Sequence, residues 1–476
     1  MNDLLQQAYD PEGFRRQGHA LIDVLADYLR AMQQPAGQPA IAYRPPAETL
    51  AEWASRLKEG EPDPMRIFQS VLGQSVSLHH PHYMGHQISP PAPMAALAGL
   101  VGDLLNNGMG VYEMGMAGSA AEEALIQEVG AVLGLGDRCG GFLTSGGTLA
   151  NLTALLTARS VKAPTEVWTA GNSEPLALMV SEEAHYCVDR AARIMGWGSA
   201  GLIKIPSDDA FRMRTELLEP AYREAAERGV RVIAVVGSAC STAAGAFDDL
   251  DAIADFCARH NLWFHVDGAH GAALAFSTRE RPVLKGIERA DSVAMDFHKM
   301  LLTPSVTTAL VYRDHRDSYR TFQQRADYLL EWDAKDEWHN LARRTFECTK
   351  LMLSLKAYTL WAAYGPGLFE NYVDQVCDLG RAFGRLLAEA PDFELLTPPA
   401  CNIVCYRLSG PGLSPEETDA LNLKVRRRLL EQGDFYVLST TIRGRVWLRS
   451  TLSNPFTEEA HLRALMDRCR ELAKVQ

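Results

Sequence analysis

From about residue 140 the apolar positions fall into short runs separated by amphipathic stretches. FLTSGG (142–147) closes a strand and opens a helix over TLANLTALLTARS. LALMVS (176–181), VRVIAVVG (230–237), LWFHVD (262–267), DSVAMDF (291–297) and TTALVYR (307–313) read as further strands. DDLDAIADFCARH lies between two of them and sets Leu250, Ile253, Ala254 and Cys257 on one helical face. Apolar strands alternating with such helices predict an α/β fold with a mostly parallel sheet, covered on both faces and joined by right-handed crossovers.

The flanks differ from this centre. Residues 91–135 are mostly helical and rich in small residues. An amphipathic helix over 17–34 carries Leu21, Val24, Leu25, Tyr28, Leu29 and Met32 as its stripe, and prolines and glycines between Pro35 and Pro46 then break the pattern. The stripe must be buried, on its own domain or on a partner subunit; the pattern leaves both open. Toward the end come a helical run over 340–362, helix 371–388, strand CNIVCYRL (401–408), helix 415–432, strand RVWLRSTL (445–452) and helix 457–474. This suits a small C-terminal α+β domain. The chain is thus divided into an N-terminal helical segment (1–90), a large α/β domain (91–345) and the small domain (346–476).

Composition narrows the class. A chain of 476 residues exceeds one comfortable core. A net charge of -12 argues against broad nucleic-acid or anionic-membrane binding, and a small anion can still be held by local donors. The nine cysteines form no CxxC pair, which suggests neither a zinc knuckle nor a disulfide framework. MNDLLQQAYDPEGFRR lacks the basic start and apolar core of a signal peptide, and no run approaches the roughly 20 apolar residues that span a bilayer. The expected location is cytoplasmic.

Reactive side chains collect where ligands bind in an open α/β sheet, beyond the C-terminal strand ends. Asp267 closes LWFHVD, Lys299 follows DSVAMDF, His185 follows LALMVS, and Ser145, Gly146, Gly147 and Thr148 sit where a strand becomes a helix. A lysine there can form a Schiff base with an aldehyde cofactor. For pyridoxal 5'-phosphate (PLP), Asp267 suits the ring nitrogen, the Ser145–Thr148 turn and its helix N-terminus suit the phosphate, and His185 can stack on the ring. His298 can donate to the phosphate. Each piece alone has a bland reading as a cap, a solvated charge or a satisfied histidine; their combination defines one site.

These segments resemble the group II PLP-dependent amino-acid decarboxylases, which include glutamate, aromatic-amino-acid and diaminobutyrate decarboxylases. The resemblance runs from about 65 to 470 and rests on TSGGTLANLTALLTAR (144–159), AHYCVDRAARIMG (184–196), GSACSTAAGAFDDL (237–250), HVDGAHG (265–271) and ADSVAMDFHKM (290–300). It implies fold type I, the aspartate-aminotransferase-like fold, PLP on Lys299, and a homodimer whose active sites lie at the subunit interface and whose N-terminal helices pack on the partner. It adds Ser241 and His270 near the cofactor. HHPHYMGHQ (79–87) resembles a pocket-lining segment, which places His80, Tyr83 and His86 at the substrate; VWLRSTLSNP (446–455) makes Arg449 a carboxylate anchor.

The implied activity is decarboxylation of a small-molecule L-amino acid to the amine and CO2, with an acidic or diamino substrate preferred over an aromatic one. Aldehyde-forming oxidative chemistry, transamination and aromatic-amino-acid decarboxylation are the alternatives. Three departures bear on this. Tyr328 is the only tyrosine of YLLEWDAKDEWHNLARRTF (328–346) and matches a scaffold position, which leaves His185, His339 or water as proton donor. Asp296-Phe297 stands where many relatives have Asn-Pro, and Cys240 where small residues are common. The cluster His79, His80, His82 and His86 can be read as a metal site, but adjacent histidines need not converge, and no metal is assigned.

Overall fold

In a computed structural model, the structure is described for residues 3–34, 37–164, 166–322 and 338–474. The predicted alternation folds into a seven-stranded sheet. Its strands are β1 (Gly140–Thr144), β2 (Leu176–Ser181), β3 (Leu202–Ile205), β4 (Arg231–Ser238), β5 (Trp263–Asp267), β6 (Ser292–Asp296) and β7 (Thr308–Tyr312). They lie in the order β1-β7-β6-β5-β4-β2-β3. Neighbours from β3 to β6 pair in parallel, and β7 runs antiparallel to both β6 and β1. The registers pair Ser238 with Asp267, Asp267 with Ala294, and Asp296 with Thr308.

β1, β2, β6 and β7 are buried along their whole length, which explains why they read as unbroken apolar runs. Phe142, Leu178, Val180, Ile233, Val236, Trp263, Leu310 and Tyr312 share one core with Ala154, Leu155 and Ala158 of the helix Gly147–Lys162. Each fully buried large side chain there contributes roughly 1.5–3 kcal/mol. Two polar contacts cross this core: Trp263 Nε1 donates to Ser292 Oγ at 2.9 Å, and Thr157 Oγ1 and Tyr312 Oη lie 2.9 Å apart.

The chain forms two compact units. One comprises residues 87–378 and 399–402 and holds this sheet; the other comprises 1–86, 379–398 and 403–476. The second contains an antiparallel sheet of β8 (Phe393–Leu395), β9 (Ile403–Leu408), β10 (Leu438–Ile442) and β11 (Arg445–Thr451), ordered β10-β11-β9-β8. The helices Pro415–Gln432 and Glu459–Lys474 pack with it through Val425, Leu429, Leu462 and Leu465. Ser414 and Glu417 cap the first of these reciprocally.

Three sequence expectations change. The N-terminal helix starts at Pro11, because the Asp10 side chain accepts the Glu12 and Gly13 N–H groups. Of that helix, Met32 alone is buried. The helical run over 340–362 reduces to a single turn, Leu341–Arg343, and a helix over Ser354–Tyr364. In and after that turn the chain bonds elsewhere: Ala342 N–H donates to Gly110 O at 2.9 Å, and Lys350 O accepts from Met109 N–H at 3.0 Å. Among the described residues, no helix is long and apolar enough to cross a membrane. Tyr328 lies outside the described residues.

Candidate active site

A cavity of about 300 Å³ opens beyond the ends of β1, β5 and β6. Ser145, Gly146, Gly147, Thr148, His185, Asp267, His270, His298 and Lys299 all line it. Nine residues spread from position 145 to 299 therefore share one wall because four strands, β1, β2, β5 and β6, lead into it.

Lys299 sits on the single turn Phe297–Met300 that follows β6. Its Nζ lies 3.0 Å from Asp296 Oδ2. Burial pulls its ammonium toward lower pKa, but the charges of Asp296 and then Asp267 outweigh burial, and the net direction is up. Asp267 accepts the Ala269 N–H at 3.3 Å through Oδ1, while Oδ2 faces the Cys187 thiol at 4.0 Å. Burial and then the Asp267 charge raise the Cys187 pKa, so this group stays a neutral thiol beside the carboxylate.

His185 is the N-cap of the helix Tyr186–Ile194, and its Nδ1 accepts the Cys187 N–H at 3.3 Å. That bond puts the imidazole proton on Nε2. Burial, with Lys299 adding to it and Asp267 opposing, lowers its pKa and keeps the ring neutral near pH 7. His270 is buried; its Nε2 pairs with Asn402 Oδ1 at 2.7 Å, and its Nδ1 has no hydrogen-bond partner among the described residues. His298 Nδ1 accepts the Thr307 N–H at 3.2 Å, and its Nε2 lies 3.6 Å from Asp296 Oδ2.

The turn after β1 is built for close approach. Gly146 has φ 117°, a conformation that L side chains rarely adopt. A Cβ on Gly147 would stand 3.2 Å from both carboxylate oxygens of Asp296 and 3.4 Å from Ala269 Cβ. The helix Gly147–Lys162 begins here, and the first N–H groups of a helix lack intrahelical partners and attract anions. Ser145 Oγ donates to Glu347 Oε1 at 2.9 Å. Ser241 does not share the wall: its Oγ accepts the Ala246 N–H at 3.1 Å, and the adjacent Cys240 and Thr242 line the cavity. Gln87, Asn151, Cys187, Thr242, Asp296 and Val306 also line it without having been singled out as site residues. For Asp296 the signal was its place three residues before the lysine, one helical turn back.

His80, Tyr83, His86 and Arg449 belong to the other unit. His80 is buried; its Nε2 donates to Gln38 O at 3.1 Å and its Nδ1 accepts the His82 N–H at 3.0 Å. Burial, then the neighbouring His82, lowers its pKa to about 4. Tyr83 is buried against Tyr436 with ring centroids 5.7 Å apart, and its hydroxyl meets His86 O at 3.4 Å. Arg449 is buried in β11, which pairs with β9 and β10, so it is not a solvent-facing residue on an edge strand. Its charge, after burial, helps to depress the pKa of His86.

The cavity fits a planar aldehyde cofactor carrying a phosphate. It offers an amine nucleophile, a carboxylate, an imidazole with an open buried nitrogen, and a glycine turn that leaves an anion room at a helix N-terminus. Fold and site together define a fold type I PLP-dependent enzyme. Residues 68–409 match the family of the pyridoxal-dependent decarboxylase conserved domain. The chain belongs to the pyridoxal-dependent decarboxylase family and is a PLP-dependent carboxy-lyase. It is 27% identical over 480 residues to an aromatic-L-amino-acid decarboxylase of Bacillus atrophaeus, with 97% of this chain and 96% of that one covered. It is 30% identical over 410 residues to an L-2,4-diaminobutyrate decarboxylase of Rhizobium meliloti (strain 1021), covering 86% and 81%. The crystal structure of mouse CSAD superposes with a TM-score of 0.91 at 26% identity, over 98% of this chain and all of the other.

Proposed function

We propose that Lys299 carries PLP and that the enzyme decarboxylates an L-amino acid with an acidic or diamino side chain, releasing the amine and CO2. One observation carries this reading: the Lys299 amine, the Asp267 carboxylate and the glycine turn at the start of the helix Gly147–Lys162 line a single cavity. In it Asp267 partners the ring nitrogen, and the Ser145–Thr148 turn and His298 receive the phosphate. His185 lies against the ring. When bound, the cofactor supplies an electron sink for the pair left on Cα as the carboxylate departs.

The protein's own part is orientation and proton supply. The α-carboxylate must be held out of the conjugated plane, since geometry selects loss of CO2 over loss of the Cα proton. His185, with its proton on Nε2 and its ring neutral, is the group we assign to protonate Cα. His339 packs edge-on against Tyr112 and Trp338 and is not part of the cavity wall.

The substrate preference draws on Arg449, a buried guanidinium we assign to the substrate's second polar group, and we assign His80, Tyr83 and His86 to substrate binding with it. Relatives at 30% identity named L-2,4-diaminobutyrate decarboxylase and, in mouse, cysteine sulfinic acid decarboxylase support it. A cytoplasmic homodimer completes the reading. The helix Pro93–Leu105 leaves Leu97, Leu100, Val101 and Leu104 exposed, an apolar face that a second subunit would cover.

The test is product analysis with PLP-loaded enzyme across acidic, diamino and aromatic L-amino acids. Amine plus CO2 from an acidic or diamino substrate is expected. Turnover of tyrosine, DOPA or tryptophan alone would overturn the substrate assignment. Aldehyde plus ammonia, or stoichiometric use of a keto acid, would overturn decarboxylation in favour of oxidative chemistry or transamination.

A further inference from the structure

A second carboxylate stands at Lys299, and the cofactor roles above do not use it. Asp296 ends β6 and faces its register partner Thr308 on β7, whose hydroxyl donates to Asp296 Oδ1 at 2.5 Å. Its N–H donates to Ala269 O at 3.0 Å. Its other carboxylate oxygen, Oδ2, lies 3.0 Å from Lys299 Nζ and 3.6 Å from His298 Nε2. The residue is 1% exposed and lines the cavity. A carboxylate held at both oxygens and at its backbone has one orientation, and that orientation points at the reacting amine.

We propose that Asp296 is the positioning residue of Lys299: it fixes the amine at the cavity wall and holds it as an ammonium whenever the lysine is not bonded to the cofactor. Asp267 is thereby left free for the ring nitrogen. The proposal rests on the reading of Lys299 as the cofactor-bearing residue.

A buried lysine without a partner tends to lose its proton, because low dielectric disfavours the charged form. Here that tendency is reversed. The titratable groups around Nζ are Asp296 at the end of β6, His298 on its own turn, Asp267 from the end of β5, His185 and Cys187 from the start of the helix Tyr186–Ile194, and Cys240 beyond β4. Among the described residues, Asp296 is the carboxylate in hydrogen-bond contact with Nζ. Attachment of the cofactor requires the ammonium to release one proton to solvent. The freed lone pair then bonds to the aldehyde carbon, and one water leaves. Asp296 sets how readily that first proton departs.

The experiment uses the full chain stripped of cofactor and follows the absorbance of lysine-bound cofactor after adding saturating PLP, between about pH 6 and pH 10. In the natural protein the attachment rate should keep climbing with pH. In Asp296→Asn the rise should level off at least about one pH unit earlier, giving roughly tenfold faster attachment at pH 7. Thr308→Val, which loosens the carboxylate without removing it, should shift the profile the same way by less. A folded Asp296→Asn protein with an unchanged profile overturns the proposal and leaves Lys299 as the attachment point. No attachment in the natural protein would instead overturn the functional reading itself. Should Asp296→Asn not fold, the pH profile of Lys299 acylation in the cofactor-free natural protein decides. A rate still rising past about pH 9 supports the proposal, and a plateau below about pH 8 overturns it, since it would reveal an amine freed by burial.

Discussion

The Lys350 ammonium lies 2.5 Å from Glu122 Oε1 and 2.7 Å from the carbonyl oxygen of Leu143, while the Leu143 N–H donates to the same Glu122 oxygen at 2.9 Å. Leu143 belongs to β1, which among the described residues is an edge strand with β7 as its one neighbour. An edge strand presents unpaired backbone groups. This buried ion pair satisfies both groups of Leu143 in place of a further strand, and so holds the strand that delivers the Ser145–Thr148 turn. Lys350→Met should destabilise the fold by about 3–5 kcal/mol, because the Glu122 charge is left buried alone. The double variant Lys350→Met/Glu122→Leu should recover only part of that loss. A simple ion pair replaced by apolar side chains is often neutral, but here the Leu143 N–H and C=O remain without partners, at about 1–3 kcal/mol each. Urea denaturation of the three proteins distinguishes the two cases.

The cofactor assignment has its own signature. Lys299→Ala should abolish both turnover and the absorbance of lysine-bound cofactor. Asp267→Asn should keep that absorbance but lower kcat by about 10²-fold or more, since it removes a preorganised charge from a buried site. An Asp267→Asn enzyme with unchanged kcat would mean that the carboxylate does not face the ring nitrogen.

Much of this site was legible because catalytic residues follow strand ends, and the strands were read from unbroken apolar runs. LWFHVD gave Asp267 its place, and DSVAMDF gave Lys299 its place. What stayed hidden is what only packing decides. β3 (Leu202–Ile205) is four residues long and half-buried, and β10 (Leu438–Ile442) carries three central polar residues, so neither offered a clear run. The helical pattern over 340–353 yielded to long-range partners, with Arg344 and Lys350 buried beside Glu123 and Glu122. In the sequence Asp296 stands out only as a departure from related chains. Its contact with Lys299 depends on a helical turn after β6, and its anchoring depends on Thr308 across a β6–β7 register that sequence does not state.

A pH effect on stability follows from His80. Its pKa in the folded protein is about 4, below its ordinary value of 6.5, because burial disfavours the imidazolium. The unfolded chain binds a proton that the native state refuses. Stability from this group is therefore fully present above about pH 6.5 and is lost as pH falls toward 4. The full loss is on the order of 3 kcal/mol. His82, also lowered by burial, acts in the same direction. Melting temperatures between pH 7 and pH 5 should fall less steeply in His80→Asn than in the natural protein; equal slopes would show that the imidazole is protonated in the native state.

Arg449 can be tested without changing charge. A guanidinium presents a planar fork of donors that an ammonium cannot copy. Arg449→Lys should raise KM for the preferred acidic or diamino substrate by about tenfold, equivalent to about 1.4 kcal/mol, with kcat much less affected. A fall in kcat at constant KM would assign the residue to the transition state rather than to substrate binding.

Gly147 separates site geometry from stability most cleanly. The first position of its helix tolerates alanine, and alanine is the better helix former, by about 0.8–1.0 kcal/mol in a helix interior and less at an end. The added methyl would nevertheless lie 3.2 Å from both Asp296 oxygens. Those oxygens cannot retreat freely, since Thr308 holds one and Lys299 the other. Gly147→Ala should therefore melt at nearly the natural temperature yet bind PLP about tenfold more weakly, a loss of about 1.4 kcal/mol. Titration of the cofactor-free variant, with its melting curve as control, checks both halves. Unchanged affinity would mean that the turn and the Asp296 carboxylate move apart at no cost, and that the close approach at this glycine does not shape the cofactor site.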